Sequence, residues 1–292
     1  MIGKLARRLS RARYAMAAPL LRLREAGELR RLGEGAPRHP LVFIIGAPRT
    51  GSTILYQALT NDLDVLYIDN LVCRWHRNLL HGFALSRARF GDRPHDNFKA
   101  ELGNTSAYGD HAPSECGDFW YRWLDRDEHF VDDDQATPAI VTAIRRELTA
   151  VVNRFDRPLM FKNLNAGQRL RLILKAFPDA RLIHVVRDTE PTVRSILAAR
   201  RSRGIGRGEW WSVKPRGYRE LLSLDEEAMV RAQVARIEAQ IAEDCARFPA
   251  GNVMQVRYND FSPELVARIG QWIGCGRRGG GLPEFRRDGV AS

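Results

Sequence analysis

The chain predicts an α/β fold, a parallel β-sheet flanked by helices on both faces. The runs Leu41 to Ile45 and Arg181 to Val186 are almost wholly apolar and rich in β-branched residues, as strands buried on both faces require. Each is followed by turn residues and then by a stretch of helical periodicity, and this alternation repeats along the chain. At 292 residues, 44% hydrophobic and 28% charged, the chain is long enough for one such domain with insertions. We divide it into a basic amphipathic extension (1–38), the α/β domain (39–275) and a Gly/Arg-rich tail (276–292).

The extension places Ile2, Leu5, Leu9, Ala12, Met16, Leu20 and Leu23 at three- and four-residue steps, with Arg7, Arg8, Arg11 and Arg13 between them. That pattern predicts a basic amphipathic helix, or two helices interrupted at Pro19. Residues 1–38 hold ten Lys/Arg against three Glu, out of a net charge of +11 for the whole chain. Only five of the 46 basic residues are Lys, so a general preference for Arg inflates any arginine cluster. Two readings stand: peripheral docking on a membrane surface or partner through residues 1–24, or a helix packed on the domain's flank. Charges recur too often for a signal peptide, and no stretch reaches the length of a spanning helix.

In the domain, Gly46, Pro48 and Gly51 make a tight turn after the first strand. A helix then runs from Thr53 to Asn61, a strand from Asp64 to Ile68, and helical sequence from Leu71 to Phe90. Residues 91–117 lack periodicity and read as a long excursion. Phe119, Trp120, Tyr121 and Trp123 suit either a pocket wall or the core. A helix from Ala136 to Arg154, a short strand ending at Lys162 and a helix from Gly167 to Phe177 lead into the Arg181 strand and a helix to Arg203. Residues 204–219 are irregular, and Arg200, Arg201, Arg203 and Arg207 either line a loop there or form a solvated face. Leu224 to Phe248 is helical, Asn252 to Arg257 a strand and Pro263 to Ile273 the last helix. The tail is expected to be partly disordered.

Cys73, Cys116, Cys245 and Cys275 form no C-x-x-C pair, so neither a zinc site nor a disulfide framework is indicated. Seven histidines make no metal-binding pattern, and no metal is expected. A reducing, cytoplasmic setting fits this usage.

Gly46-x4-Gly51 invites comparison with the ATP-binding loop G-x-x-x-x-G-K-[ST], but Ser52 stands where that loop has Lys, and the cation is Arg49. Pro48-Arg49-Thr50-Gly51-Ser52-Thr53 instead resembles the loop of sulfotransferases that use 3′-phosphoadenosine 5′-phosphosulfate (PAPS). The resemblance implies a P-loop-like three-layer sandwich, with Gly46, Pro48, Arg49, Thr50, Gly51, Ser52 and Thr53 holding the donor's 5′-phosphosulfate end. Arg187 after its strand and Ser195 in the next helix match the family's pair for the 3′-phosphate. A strand-end salt bridge with Asp188 is the structural alternative for Arg187. Pro158 to Asn163 resembles the family's strand ending in Lys, which gives Lys162 the sulfuryl oxygens. Val256 to Phe261 resembles an architectural strand end, and Arg277-Arg278-Gly279 is weakly similar to a late 3′-phosphate contact.

One departure concerns the base. Small-molecule members carry a His two residues after the motif Lys, where this chain has Leu164. The resemblance then implies a carboxylate: Glu115, in a Pro-x-Glu-x-Gly-x-Phe-Trp stretch, or Asp69, after the strand ending at Ile68. Helix capping is the alternative reading for either, and His111 is an outside candidate. The implied activity is sulfuryl transfer from PAPS to a hydroxyl or amine of an unidentified acceptor (carbohydrate, lipid, peptide or small metabolite). The rivals are a P-loop kinase or NTPase, disfavoured by Ser52, and a non-enzymatic basic protein. No helix-turn-helix or RNP pattern appears, so no nucleic acid is expected.

Overall fold

A computed structural model of the chain describes residues 2–287, and side chains from residue 16 onward. In chain order its elements are α1 (Ile2–Gly33), β1 (Leu41–Ile45), α2 (Ser52–Asp62), β2 (Leu66–Tyr67), α3 (Asn70–Arg74) and α4 (Leu79–Phe90). There follow α5 (Gly117–Trp120), α6 (Pro138–Phe155), β3 (Leu159–Lys162), α7 (Leu170–Ala176), β4 (Arg181–Val186) and α8 (Thr189–Ser202). The chain closes with α9 (Glu226–Cys245), β5 (Val253–Arg257) and α10 (Pro263–Ile273). The strands form one parallel sheet in the order β2-β3-β1-β4-β5.

β1 lies at the centre, with Phe43 opposite Phe161 on one side and Leu182 on the other. Its five residues are at most 1% exposed. Leu41, Phe43 and Ile45 face a core built with α4, α6, α7, α8 and α9, while Val42 and Ile44 face a second core built with α2 and α10. This two-sided burial explains the unbroken apolar run: each such side chain contributes about 1.5–3 kcal/mol. Helix starts follow local chemistry. Ser262 accepts the N–H of Leu265 with Pro263 in the first turn of α10, and Asp225 accepts that of Ala228 at α9.

α1 is one continuous helix with Pro19 inside it, not two. Its later half packs on α6, close enough that a Cβ on Gly33 would lie 2.4 Å from the Arg146 carbonyl. Buried Glu25 accepts from Asn78 Nδ2 (3.0 Å) and from the His81 N–H (2.6 Å). The helical stretch 71–90 is divided into α3 and α4 at Trp75 to Asn78.

Three expectations need correction. Cys73 and Cys116 form a disulfide across 43 residues, Cα to Cα 5.5 Å; the bridge arises because α3 packs beside the turn before α5, which spacing along the chain does not reveal. The tail is docked through Phe285: Arg277 forks onto buried Asp62 (2.7 and 3.0 Å), Arg278 pairs with Asp64 (3.1 Å), and Phe285 packs against Phe261. Burial of the Asp62 carboxylate explains the first contact, since a buried charge requires a partner. Finally, none of Arg200, Arg201, Arg203 and Arg207 lines the cavity described below. Arg200 is 1% exposed, pairs with Glu226 (2.8 Å) and donates to the carbonyls of Gly206 and Glu209, so it fixes the 204–213 loop from within. Residues 288–292, part of the predicted tail, lie outside the described residues.

Candidate active site

The carboxyl ends of β1, β3 and β4 open into a cavity of about 2110 Å³, where the ends of parallel strands and the starts of helices meet. Residues 46–51 turn the chain from β1 into α2. Gly46 has φ 148°, and a Cβ there would lie 2.3 Å from the Val185 carbonyl; Gly51 has φ 84°, and a Cβ there would meet the Tyr258 ring at 2.4 Å. Only glycine fits either position. Arg49, with a side chain, also takes a left-handed φ of 68°, a strained state of the kind found in ligand-binding turns.

The loop is braced from both ends. Thr50 is buried and donates its hydroxyl to the Ala47 carbonyl (3.0 Å). The Ala47 N–H donates to Glu238 of α9 (2.9 Å), whose other oxygen meets His184 Nε2 on β4 (2.7 Å). Ser52 and Thr53 begin α2 without a side-chain cap, and both line the cavity. The first-turn N–H groups and the helix dipole thus face a space suited to an anion.

A cationic group stands beside the loop. Arg49 Nε donates to Ser195 Oγ (3.1 Å) from α8, and Arg187, just past β4, donates to the Arg49 carbonyl (2.9 Å). The Arg187 guanidinium lies over the Tyr258 ring at 4.4 Å, a cation–π arrangement. Burial, then the charge of Arg187, lowers the Arg49 pKa. Two guanidiniums held this close repel each other, and a bound anion beside them would favour the charged form of Arg49. Asp188 is the residue before α8.

A second group sits at the end of β3. Lys162, 2% exposed, pairs with Glu115 Oε1. Glu115 is held there because Asn163, next to Lys162, donates to the Glu115 carbonyl (3.2 Å). The excursion 91–113 passes over this pair: a Cβ on Gly103 would lie 3.4 Å from Glu115 Oε1 and Thr53 Oγ1 and 3.5 Å from Lys162 Nζ. Arg203 ties the excursion to the end of α8 through Glu101 (3.0 Å).

The remaining candidates lie elsewhere. Asp69 is 1% exposed and caps α3: one oxygen accepts the Val72 N–H (2.7 Å) and the other the Ser86 hydroxyl (2.5 Å). Burial raises its pKa to about 6, but it borders a small separate cleft and not the main cavity. His111 meets the Tyr67 hydroxyl (2.8 Å) and stacks on Phe90, also away from the cavity. Among the aromatics, Phe119 and Trp120 are core, whereas Tyr121 lines the cavity and accepts from Asn165 (2.9 Å). Leu164 lines it too. Sequence reasoning missed Glu238 and the Gly103 approach altogether; neither carries a local signature. It read Tyr258 only as architecture, and Asn163 was visible as the residue after the motif Lys. Among the described residues, no cluster of three or more His, Cys, Asp or Glu is arranged to hold a metal ion.

Comparison with known proteins identifies the family and the fold. The family model described as the sulfotransferase family matches residues 40–271. No curated protein sequence matches the chain. Solved structures share its fold, among them two mycobacterial sulfotransferases. The sulfotransferase STF1 of Mycobacterium tuberculosis aligns with TM-score 0.54 and 17% identity, over 93% of this chain and 76% of that one. The sulfotransferase STF9 of Mycobacterium avium aligns with TM-score 0.54 and 16% identity, over 86% and 67%. With its parallel sheet, its glycine-cornered loop after the central strand and a family match across most of its length, the chain belongs to the sulfotransferase family.

Proposed function

We propose that this protein transfers a sulfuryl group from PAPS to a hydroxyl or amine of an acceptor, using Glu115 as the base. The observation that carries the reading is the meeting of Lys162, Glu115 and Thr53 at one point of a cavity that Arg49 and Arg187 also line, with Ser195 held by Arg49. The residues suit the donor: the corner glycines let the chain turn tightly from β1 into α2, so that the first N–H groups of that helix can meet a phosphate, and Arg49 and Arg187 add guanidinium donors to phosphate oxygens. When bound, the donor supplies an activated sulfuryl group on a 5′-phosphate leaving group.

The N–H groups at the start of α2, with Ser52 and Thr53, would hold the 5′-phosphate and stabilise it as it leaves. Arg187 and Ser195 would hold the 3′-phosphate, and Arg49, whose side chain already reaches Ser195, would serve the same end or swing to the 5′ side. Lys162 would exchange Glu115 for the equatorial sulfuryl oxygens. Released from that pair, Glu115 would accept the proton of the attacking acceptor group as its new bond to sulfur forms. Chemistry of this type rests on positioning and charge neutralisation.

The test is calorimetric titration with adenosine 3′,5′-bisphosphate, beside ADP and ATP–Mg²⁺. Binding of the bisphosphate alone, lost in Arg187→Ala, supports the reading. Preference for ATP–Mg²⁺, or an Arg187→Ala protein of unchanged affinity, overturns it.

A further inference from the structure

The helix α1 carries two opposed faces. Ala18 and Glu25 are buried, and Leu29 and Leu32 pack against the core. At 3.6 residues per turn, Met16, Leu20 and Leu23 fall within about 60° of one another and roughly 180° from that packed face. They are 78%, 69% and 75% exposed, three of the five large apolar side chains most open to solvent among the described residues. In the sequence the same three- and four-residue spacing runs back through Ala12, Leu9, Leu5 and Ile2. Packing against the domain cannot be the purpose of this stripe, because the opposite face already does that.

Charge selects the occupant. Residues 1–24 contain Lys4, Arg7, Arg8, Arg11, Arg13, Arg22 and Arg24 and no Asp or Glu. Arg22 is engaged with Glu147 (2.6 Å), while Arg24 is exposed. Two such faces brought together would set cations against cations, which disfavours a second copy of the chain. An anionic lipid surface supplies both complements at once: headgroups for the arginines and an apolar boundary for the stripe.

We infer that α1 docks the protein on an anionic lipid surface through Met16, Leu20 and Leu23, independently of which donor the cavity binds. Ala18, on the packed side of the same helix, borders the cavity together with Asn78, which donates to the Ala18 carbonyl, so docking brings that edge of the cavity within about one helix diameter of the headgroups.

Flotation of the full chain with vesicles tests this. The protein should float with vesicles of phosphatidylcholine mixed with phosphatidylglycerol, stay behind with phosphatidylcholine alone, and be released as salt rises. Met16→Glu/Leu20→Glu/Leu23→Glu should lower partitioning about tenfold or more with an unchanged melting temperature. Leu20→Ser/Leu23→Ser, which adds no charge, should also lower it. Failure of the wild-type chain to float with the mixed vesicles overturns the inference, as does equal flotation of the variants. A dimer seen by light scattering that the triple variant abolishes, without vesicle binding, would assign the stripe to a second copy instead.

Discussion

Replacing Gly51 by alanine puts a methyl group where the structure has none to spare. The residue has φ 84°, and its Cβ would stand 2.4 and 2.7 Å from two carbons of the Tyr258 ring and 3.1 Å from Phe261. A left-handed conformation costs a side-chain-bearing residue about 1–2 kcal/mol. Forcing the half-buried Tyr258 aside adds an overpacking cost of about 1–3 kcal/mol. The sum, about 2–5 kcal/mol, corresponds to a melting temperature lowered by roughly 4–10 °C for a chain of this size. The effect should extend to binding, because the Tyr258 ring carries the Arg187 guanidinium at 4.4 Å. Thermal melting of Gly51→Ala, Tyr258→Ala and the double variant separates the two costs. The double variant should be more stable than the sum of the singles predicts, by the overpacking share of about 1–3 kcal/mol. A Gly51→Ala protein melting within about 1 °C of wild type would refute the reasoning; strict additivity would place the cost in the backbone alone.

Other perturbations give separate tests. Lys162→Met should lower the sulfuryl-transfer rate by on the order of 10²-fold while leaving bisphosphate affinity nearly intact; a matching loss of affinity would move Lys162 from the transferred group to the leaving group. Thiol titration of the native protein should find the two free cysteines, Cys245 and Cys275, and four after denaturation in reductant. The bridge across 43 residues should stabilise the fold by about 4 kcal/mol on a chain-entropy estimate; four reactive thiols in the native state would show it to be open. Stability should also fall as pH is lowered from 6.5. Burial first, then the charge of His111, depresses the His95 pKa to about 3, and burial depresses that of His129 to about 4. Both rings are neutral in the folded protein across a range where the unfolded chain binds protons, so stability present above pH 6.5 is lost on the way down to these values. At pH 5 each costs about 2 kcal/mol. Denaturant titration of His95→Gln should therefore show a shallower fall between pH 7 and 5 than wild type, and an equally steep fall would discard the assignment.

Much of this molecule was written locally in the chain. β1 and β4 were legible because burial on both faces leaves β1 wholly apolar and β4 interrupted only by Arg181 at its start and by His184, which pairs with Glu238. The turn after β1 was legible because Gly46 and Gly51 answer to backbone conformations that other residues resist. Arg187, Ser195 and Lys162 were placed by their distance from strand ends, a separation of a few residues that the backbone geometry preserves. Tertiary structure decided what depends on contacts between distant segments. The sequence left both Glu115, in its motif, and Asp69, after its strand, as candidate bases; the fold turns Asp69 into a helix cap and sets Glu115 on Lys162, 47 residues away. Cys73 found Cys116, Arg277 found Asp62 across 215 residues, and Arg200 turned inward. The division has a physical origin. Periodicity and turn chemistry report the burial and backbone state of a residue among its neighbours, whereas the partner of a charge or a thiol is set by the path of the intervening chain, which only the packed fold determines.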